Sequence, residues 1–226
     1  MPSRATGTRA VTARGRPFRD PELVEGYEAW YSSSGRRADR LETDLLMRLL
    51  RWTGGGPGTL LDIGVGTGHF ARRFARIGWR VVGVDLSPPM LVEAVRLGSP
   101  AVVCGDALRL PFADRAFDLV ATVATLEFVA DPGRVLCEAV RVSRRGLLVG
   151  ALNRSSRLGR RVRHATDEPW RSARLLTVAE LGRGVRAACG GRRCDVVWRT
   201  TLWPIVDGAW RLPWGDFIGM AVRWQE

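Results

Sequence analysis

The stretch Leu60-Leu61-Asp62-Ile63-Gly64-Val65-Gly66-Thr67-Gly68-His69-Phe70-Ala71 decides the fold of this chain. It opens with a short apolar run, which is typical of a buried strand. Three glycines at alternate positions follow, and then Phe70, Phe74 and Ile77 recur at three- and four-residue spacing. The stretch therefore predicts a strand, a glycine turn and a helix. Glycine suits such a turn because it adopts positive φ and lets the backbone approach a ligand, which then meets the amides at the helix start.

The glycine spacing narrows the choice of ligand. A dinucleotide fingerprint, G-x-G-x-x-G, places its third glycine five residues after the first. Counted from Gly64, that position is His69, and the third glycine comes one residue earlier, at Gly68. The spacing therefore disfavours a dinucleotide. From this motif alone, a glycine-rich turn without any ligand is an alternative interpretation.

The length and charge of the chain limit the classes of protein to which it can belong. The chain has 226 residues, which suits one domain, and a formal net charge of +12. All 35 basic residues are arginine. Phosphate binding gives no reason to exclude lysine, so the charge indicates coding bias and predicts no specific nucleic-acid partner. No apolar run is long enough for a membrane span.

The N-terminal segment, the remainder of the chain and the cysteines each lead to an expectation. Residues 1–20 hold several arginines without the apolar segment of a signal peptide, which predicts a disordered basic tail on a cytoplasmic protein. Residues 21–226 are predicted to form a single domain. The four cysteines form no C-x-x-C pair and have no nearby histidines, so we expect no metal site and small, buried thiols.

Strands and helices alternate after the first strand. The second strand is predicted at 80–84, the third at 100–104, the fourth at 116–123 and the fifth at 146–152. Predicted helix caps separate them at Ser87 and Asp131, and Thr177 with Glu180 forms a capping box before a further helix. Two last strands are predicted at 195–202 and 217–222. The pattern predicts an α/β fold with a doubly wound, mostly parallel sheet.

Three carboxylates come at the ends of three successive predicted strands: Asp62, Asp85 and Asp106. Ligands of an open parallel sheet bind at this edge. A carboxylate at position 85 suits both hydroxyls of a ribose, because it accepts several hydrogen bonds. Asp106 and the amide of Ala107 suit an adenine, and Asp62 suits an ammonium group. Each aspartate alone would be an ordinary turn residue.

With these residues in place, the chain resembles the class I S-adenosylmethionine-dependent methyltransferases, nearest to the branch of ubiquinone and menaquinone C-methyltransferases. The resemblance runs from about Tyr27 to Val149 and rests on the glycine turn and on three further motifs. These are Val82-Gly83-Val84-Asp85-Leu86-Ser87, Gly105-Asp106-Ala107-x-x-Leu110-Pro111-Phe112 and Phe117-Asp118-Leu119-Val120.

The resemblance implies a Rossmann-like sheet of seven strands with the last strand antiparallel. It also implies that S-adenosylmethionine is the cofactor, and that residues 27–52 form an N-terminal lid and helix. The implied cofactor contacts are Asp62, Gly64, Gly66, Gly68, Asp85, Leu86, Asp106, Ala107, Val123, Tyr31 and Tyr27.

Few ionisable residues follow the fourth strand, where the methyl acceptor is expected to bind. Glu127 follows the fourth strand and is the ionisable group expected to face the acceptor, although a purely structural carboxylate is an equal alternative. His69 is interpreted as a cap-region residue and not as a base. Residues 154–176 carry seven arginines and are predicted to be an exposed insertion.

We therefore expect in-line methyl transfer to a small, apolar or aromatic acceptor under an aromatic lid. Tyr27, Trp30 and Tyr31 would contribute to this lid, together with Trp203, Trp210 and Trp214, although these tryptophans are equally compatible with simple packing. Two other functions remain open. One is a nucleic-acid methyltransferase that uses the arginines of 154–174, and the other is a cofactor-binding protein without catalysis.

Overall fold

The computed structural model describes residues 17–54, 56–202 and 206–225. Their strands are β1 (Thr59–Ile63), β2 (Arg80–Asp85), β3 (Ala101–Cys104), β4 (Phe117–Val123), β5 (Ser143–Leu152), β6 (Cys194–Thr201) and β7 (Phe217–Trp224). They form one seven-stranded sheet in the order β3-β2-β1-β4-β5-β7-β6. The first five strands are parallel, and β7 runs antiparallel to both β5 and β6. The predicted fold class is confirmed.

Helices cover this sheet. They are α1 (Pro21–Ser32), α2 (Arg36–Trp52), α3 (His69–Arg76), α4 (Pro88–Arg96), α5 (Pro132–Val142), α6 (Arg157–Val162) and α7 (Val178–Cys189), with 3-10 helices at Pro17–Arg19 and Trp170–Ser172. Ser87 and Asp131 accept amide hydrogen bonds at the starts of α4 and α5, and Thr177 forms its capping box with Glu180. These caps confirm the predicted helix starts.

The packing explains why the strands are apolar on both faces. Leu61 and Ile63 of β1 belong to one buried cluster, whereas Leu60 of the same strand belongs to a second cluster. In the same way β5 gives Leu147 to the first cluster and Leu148 to the second. Since side chains alternate along a strand, the sheet has one core on each face. The carboxyl edge of the strands is left for the site.

Two expectations about the chain need correction. Residues 17–20 of the predicted disordered tail are folded, with Asp20 capping α1, while residues 1–16 lie outside the described residues. Among the cysteines, Cys189 is buried but Cys104 and Cys137 are exposed. They are exposed because Cys104 ends the edge strand β3 and Cys137 lies on the outer side of α5. Within 17–54, 56–202 and 206–225, no helix has the length and apolar character needed to cross a membrane.

Candidate functional site

A cavity of about 280 Å³ lies at the carboxyl edge of the sheet. Its walls come from the glycine turn after β1, the residues after β2 and β3, the end of β4 and the N-terminal helices. Of the predicted cofactor contacts, those on the wall are Tyr27, Tyr31, Asp62, Gly64, Gly66, Asp85, Leu86, Asp106, Ala107 and Val123. The structure therefore brings ten of the eleven together, and Gly68 is the one that does not line the cavity.

The glycines of the turn have different structural roles. All have positive φ, at 72° for Gly64, 53° for Gly66 and 80° for Gly68. A Cβ at Gly66 would meet no atom within 4 Å, so it would stand in the open cavity. A Cβ at Gly68 would instead collide with Ser99, outside the cavity. Gly66 thus leaves room for a ligand, whereas Gly68 allows close packing at the start of α3.

Asp85 is tied to the glycine turn. Its Oδ2 accepts a hydrogen bond from the Gly66 amide and its Oδ1 one from the Ser87 amide, both at 2.9 Å. Burial raises the pKa of Asp85, although these amide bonds oppose that shift. A carboxylate has about four acceptor positions, so Asp85 keeps capacity for a ligand hydroxyl.

Asp62 lies deeper in the cavity wall. Its side chain is buried, and no hydrogen bond from a described residue reaches its carboxylate. Burial and the charge of Asp85 raise the pKa of Asp62 to about 8. An unpaired buried carboxyl group is costly. The site therefore suits a cationic or hydrogen-bond-donating group beside Asp62.

The loop after β3 presents Asp106 and Ala107 to the cavity. Oδ1 of Asp106 accepts the Leu108 amide at 2.9 Å, which fixes the loop and leaves the other oxygen for a ligand. Leu86, with 46% of its surface exposed, lines the same side. This part of the wall thus combines a free carboxylate oxygen with an apolar side chain, which suits an amino-bearing ring.

His69 has a role that the sequence analysis missed. Its ring stacks on that of Tyr31, with 3.6 Å between centroids and 8° between planes, and both residues line the cavity. The Nε2 atom of His69 lies 2.7 Å from an Asp39 oxygen, and Nδ1 lies 3.4 Å from a Glu28 oxygen. With both ring nitrogens next to carboxylates, His69 is not free to act as a base.

The carboxylates on His69 also bind arginines of α3. Glu28 pairs with Arg72, and Asp39 pairs with Arg73. These five side chains are at most 27% exposed, so water screens their interactions only in part. We call Glu28, Asp39, His69, Arg72 and Arg73 the rim network. It joins α1 and α2 to α3 and so fixes the aromatic side chains of α1 above the cavity.

Phe18, Arg19 and Phe128 are further wall residues that the sequence did not indicate. The Phe18 ring meets that of Phe128 edge to face, with centroids 4.8 Å apart. The Phe18 carbonyl accepts a hydrogen bond from the Ser87 hydroxyl at 2.5 Å. The segment before α1 is thereby held against the start of α4. The unused signal was Asp20-Pro21, a cap residue followed by proline, which predicts a helix start.

Glu127 does not face the cavity as we expected. Among the described residues of its loop, Ala124, Thr125 and Phe128 line the cavity and Glu127 does not. Its Oε1 accepts a hydrogen bond from the Leu152 amide, which turns the side chain inward, and Oε2 is buried without a described partner. Burial raises the pKa of Glu127 to about 7. The side chain ties the loop after β4 to the end of β5.

The predicted aromatic lid is only partly formed. Tyr27 and Tyr31 line the cavity, but Trp30, Trp210 and Trp214 are 42%, 47% and 58% exposed and are not on its wall. Trp203 lies outside the described residues. The two later tryptophans belong to the segment after β6, which is separated from the cavity by β5 and β7 in the sheet order.

The cavity fits the cofactor that the resemblance implies. An amino-acid cofactor with an adenosine group needs acceptors for an ammonium, a ribose and an amino-bearing ring, and Asp62, Asp85 and Asp106 offer them in one cavity. Gly66 leaves space where any other residue would fill it. In the described part of the chain, no cluster of histidine, cysteine and carboxylate side chains is arranged to hold a metal ion.

Comparisons with known proteins agree with this geometry. Residues 61–149 match the family model described as "Methyltransferase domain". A demethylmenaquinone methyltransferase of Thermobifida fusca is 44% identical over 93 residues, which are 38% of this chain and 39% of that protein. A malonyl-[acyl-carrier protein] O-methyltransferase of Serratia marcescens is 36% identical over 111 residues, 48% of this chain and 44% of that protein. The chain thus matches less than half the length of either relative.

A solved structure extends the likeness to nearly the whole chain. The crystal structure of an S-adenosylmethionine-dependent methyltransferase from Thermotoga maritima, described as a possible histamine N-methyltransferase, superposes with a TM-score of 0.74. It is 31% identical in sequence, and the match covers 90% of this chain and 96% of that one.

Proposed function

Because this chain belongs to the class I S-adenosylmethionine-dependent methyltransferases, we propose that it methylates a small, apolar or aromatic acceptor. The single observation that carries the proposal is the cavity itself, whose wall combines carboxylates that can hold the cofactor with the rings of Phe18, Tyr27, Tyr31 and Phe128. Similar proteins are named for demethylmenaquinone, for malonyl-[acyl-carrier protein] and, as a possibility, for histamine, so the acceptor is proposed from the cavity.

We propose that the cofactor is held by the wall residues in the way the sequence predicted. Asp85 accepts from the ribose hydroxyls, Asp106 with the Ala107 amide meets the adenine, and Asp62 meets the ammonium group. Gly64 and Gly66 approach through their backbone. Bound S-adenosylmethionine supplies a methyl group on a sulfonium, which is transferred by in-line displacement. The residues of the chain orient the two reactants and exclude water, and this positioning is the main contribution that such a transfer requires.

The wall of the cavity favours a methyl acceptor that needs no general base to remove a proton. Its ionisable wall residues among the described ones are Arg19, Tyr27, Tyr31, Asp62, His69, Asp85 and Asp106. The aspartates are assigned to the cofactor, and His69 is engaged by Asp39 and Glu28. Burial raises the pKa of Tyr27 to about 12 and that of Tyr31 well above its usual value, so neither is a ready base. A nucleophilic or already ionised acceptor fits best.

We propose a positioning role for Glu127 in place of direct contact. Its carboxyl group ties the loop that carries Phe128 to the Leu152 amide, and Phe128 lines the cavity where an acceptor would lie. Glu127→Gln keeps a side-chain acceptor for this amide. We therefore expect it to retain turnover, whereas Glu127→Ala should lower turnover more than cofactor affinity.

The proposed function is tested in two steps. Calorimetry should show binding of S-adenosylhomocysteine and no binding of NAD, and tight NAD binding would overturn the assignment. A screen with cofactor carrying a labelled methyl group should then include quinone-like phenols, carboxylates and aromatic amines, on the wild type and on Asp85→Ala. Labelling of a phenol or quinone-like acceptor supports the proposal. Cofactor binding without transfer to any acceptor class favours the non-catalytic alternative, and transfer to RNA favours the nucleic-acid enzyme.

The cytoplasm is the proposed compartment of this protein. The only support is the sequence pattern described above, and cell fractionation with an antibody against the full chain tests it.

A further inference from the structure

The segment between β6 and β7 exposes a group of large apolar side chains. Trp210, Leu212 and Trp214 are 47%, 44% and 58% exposed. We call Trp210–Trp214 the tryptophan tip. Since β7 runs antiparallel to both neighbours, β6 and β5 run in the same direction. The tip therefore follows the carboxyl end of β6 and lies at the same edge of the sheet as the cofactor cavity.

Buried polar side chains hold the backbone of the tip in place. Thr200 and Trp210 exchange two backbone hydrogen bonds, of 2.8 and 2.9 Å. The Thr200 hydroxyl donates to the Leu212 carbonyl at 2.5 Å, and the Asn153 amide donates to the Pro213 carbonyl at 2.8 Å. Thr200 and Asn153 are fully buried. The apolar side chains are thus exposed on an ordered backbone, an arrangement that suits contact with a binding partner.

An arginine-rich helix adjoins the tip. Asp216, two residues after the tip, accepts the Leu158 amide of α6 at 2.9 Å and so joins the two segments. Arg157 and Arg161 of α6 line a second cavity of about 320 Å³, which Asp216 also lines. Arg157, Arg160 and Arg161 are exposed, and none forms an ion pair within the described residues. This places three positive charges outside any ion pair of the described residues beside the tip.

The acidic groups nearby do not cancel this charge. Asp207 already pairs with Arg37 and Arg40 of α2, and Asp216 offers one negative charge against the three arginines of α6. Arg211, within the tip, is exposed as well. The surface therefore combines tryptophans with arginines, the composition that is enriched where a protein meets the headgroups and upper acyl chains of a bilayer.

We propose that the tryptophan tip and α6 form a surface that binds an anionic lipid bilayer. Trp210 and Trp214 would lie at the interface, and the arginines would meet lipid phosphates, which they bind as paired donors. Leu212 decides between a bilayer and single-stranded nucleic acid. It is exposed between the two tryptophans and has no ring on which a base can stack, whereas an apolar side chain at this place gains from the acyl boundary.

The consequence for the enzyme rests on the proposed function. An apolar acceptor dissolves in a bilayer, and docking through the tip turns the edge of the sheet that carries the cavity toward that bilayer. Lipid binding itself needs no methyl transfer. The two proposals therefore fail separately: a chain that binds vesicles but methylates nothing refutes only the proposed function.

The test is sedimentation of the full chain with vesicles in 0.15 M salt, an ionic strength at which surface charges are already screened. Vesicles of phosphatidylcholine with phosphatidylglycerol should bind the chain, and pure phosphatidylcholine should bind it at least about tenfold more weakly. The triple variant Arg157→Gln, Arg160→Gln, Arg161→Gln should lose at least about tenfold in partitioning to the anionic vesicles. The double variant Trp210→Ser, Leu212→Ser should lose a similar factor.

The matched control removes the same charge at the opposite edge of the sheet. Arg48, Arg51 and Arg76 lie in α2 and α3 before the amino ends of β1 and β2, and their replacement by Gln should leave vesicle binding within about twofold of wild type. A circular dichroism melt of each variant confirms folding. The proposal is overturned if the wild type does not bind anionic vesicles, or if the two triple arginine variants bind them equally well. It is also overturned if single-stranded RNA or an acidic carrier protein displaces the vesicles at equal concentration.

Discussion

The ring of Tyr31 stacks on the imidazole of His69 at the rim of the cavity, with 3.6 Å between the ring centroids. One ring belongs to α1 and the other begins α3, so this contact joins the N-terminal helix to the glycine turn. The carboxylates of Glu28 and Asp39 hold the imidazole from both sides. The position of the aromatic side chain over the cavity thus depends on charges that do not touch the cavity themselves.

Replacement of His69 should therefore weaken cofactor retention. We expect His69→Ala to raise the dissociation constant of S-adenosylhomocysteine by about five- to tenfold, the scale of one lost aromatic contact, mainly through faster dissociation. Tyr31→Phe should stay near wild type because it keeps the stacked ring. Stopped-flow dissociation and calorimetry measure both. The exposed His164→Ala is the control, and equal dissociation rates in the two histidine variants would contradict the prediction.

Asp85 should carry a large part of the cofactor affinity. Asp85→Ala is expected to cost about 1.5–3 kcal/mol of binding free energy, because hydrogen bonds to a charged group are of this size. Part of the loss comes from the Gly66 amide, which would lose its acceptor. Calorimetry with S-adenosylhomocysteine measures the change, and the exposed Asp44→Ala serves as control. Full affinity in Asp85→Ala would remove this side chain from the ribose.

Binding should also release a proton from Asp62. Burial and Asp85 raise the pKa of Asp62 to about 8, so its carboxyl group is mostly protonated at pH 7. An ammonium group beside it favours the ionised form and lowers this pKa, which means that the affinity rises with pH between about 6 and 8. Calorimetry in two buffers of different ionisation enthalpy counts the protons. Release should vanish in Asp62→Asn, and identical heats for wild type in both buffers would refute the idea.

Glu42 should make the fold less stable as the pH rises. Burial, with repulsion from Asp39 and Glu127, raises the pKa of Glu42 to about 8 from 4.5. The native state then holds the proton more tightly than the unfolded chain, so the free energy of unfolding falls as the pH rises from 4.5 to about 8. The variant Glu42→Gln keeps the neutral form. It should be about 1–3 kcal/mol more stable than wild type at pH 8, since one pKa unit corresponds to about 1.4 kcal/mol.

Urea unfolding at pH 5 and pH 8 tests this prediction. At pH 5 the variant and the wild type should differ little, because Glu42 is protonated in the native state. The exposed Glu25→Gln is the control and should follow the wild type at both values. A variant that is less stable than wild type at pH 8 would show that the Glu42 carboxylate has a partner when ionised.

The sequence predicted the sheet and the cofactor wall because both depend on local signals. The glycine turn, the apolar runs and the caps at Ser87 and Asp131 each act within a few residues. The edge at which Asp62, Asp85 and Asp106 meet follows from parallel topology, since the carboxyl ends of parallel strands share one edge.

The rest of the site depends on how distant helices dock. The contact of Glu28 with His69 joins residues 41 positions apart in the chain, and no periodicity in either segment indicates it. Glu127 was expected at the acceptor because of its place after β4. The amide of Leu152 instead draws it inward, and only the register of β4 beside β5 determines that contact.

The placement of β7 between β5 and β6 affects how the sheet forms during synthesis on the ribosome. The edge strand β6 leaves the ribosome before β7, yet β7 is the strand to which it pairs. Until residues 217–224 emerge, β6 has no template and both edges of the gap stay open to other chains. The sheet therefore closes only once β7 has emerged, and the growing chain is most in need of chaperones between the synthesis of β6 and that of β7.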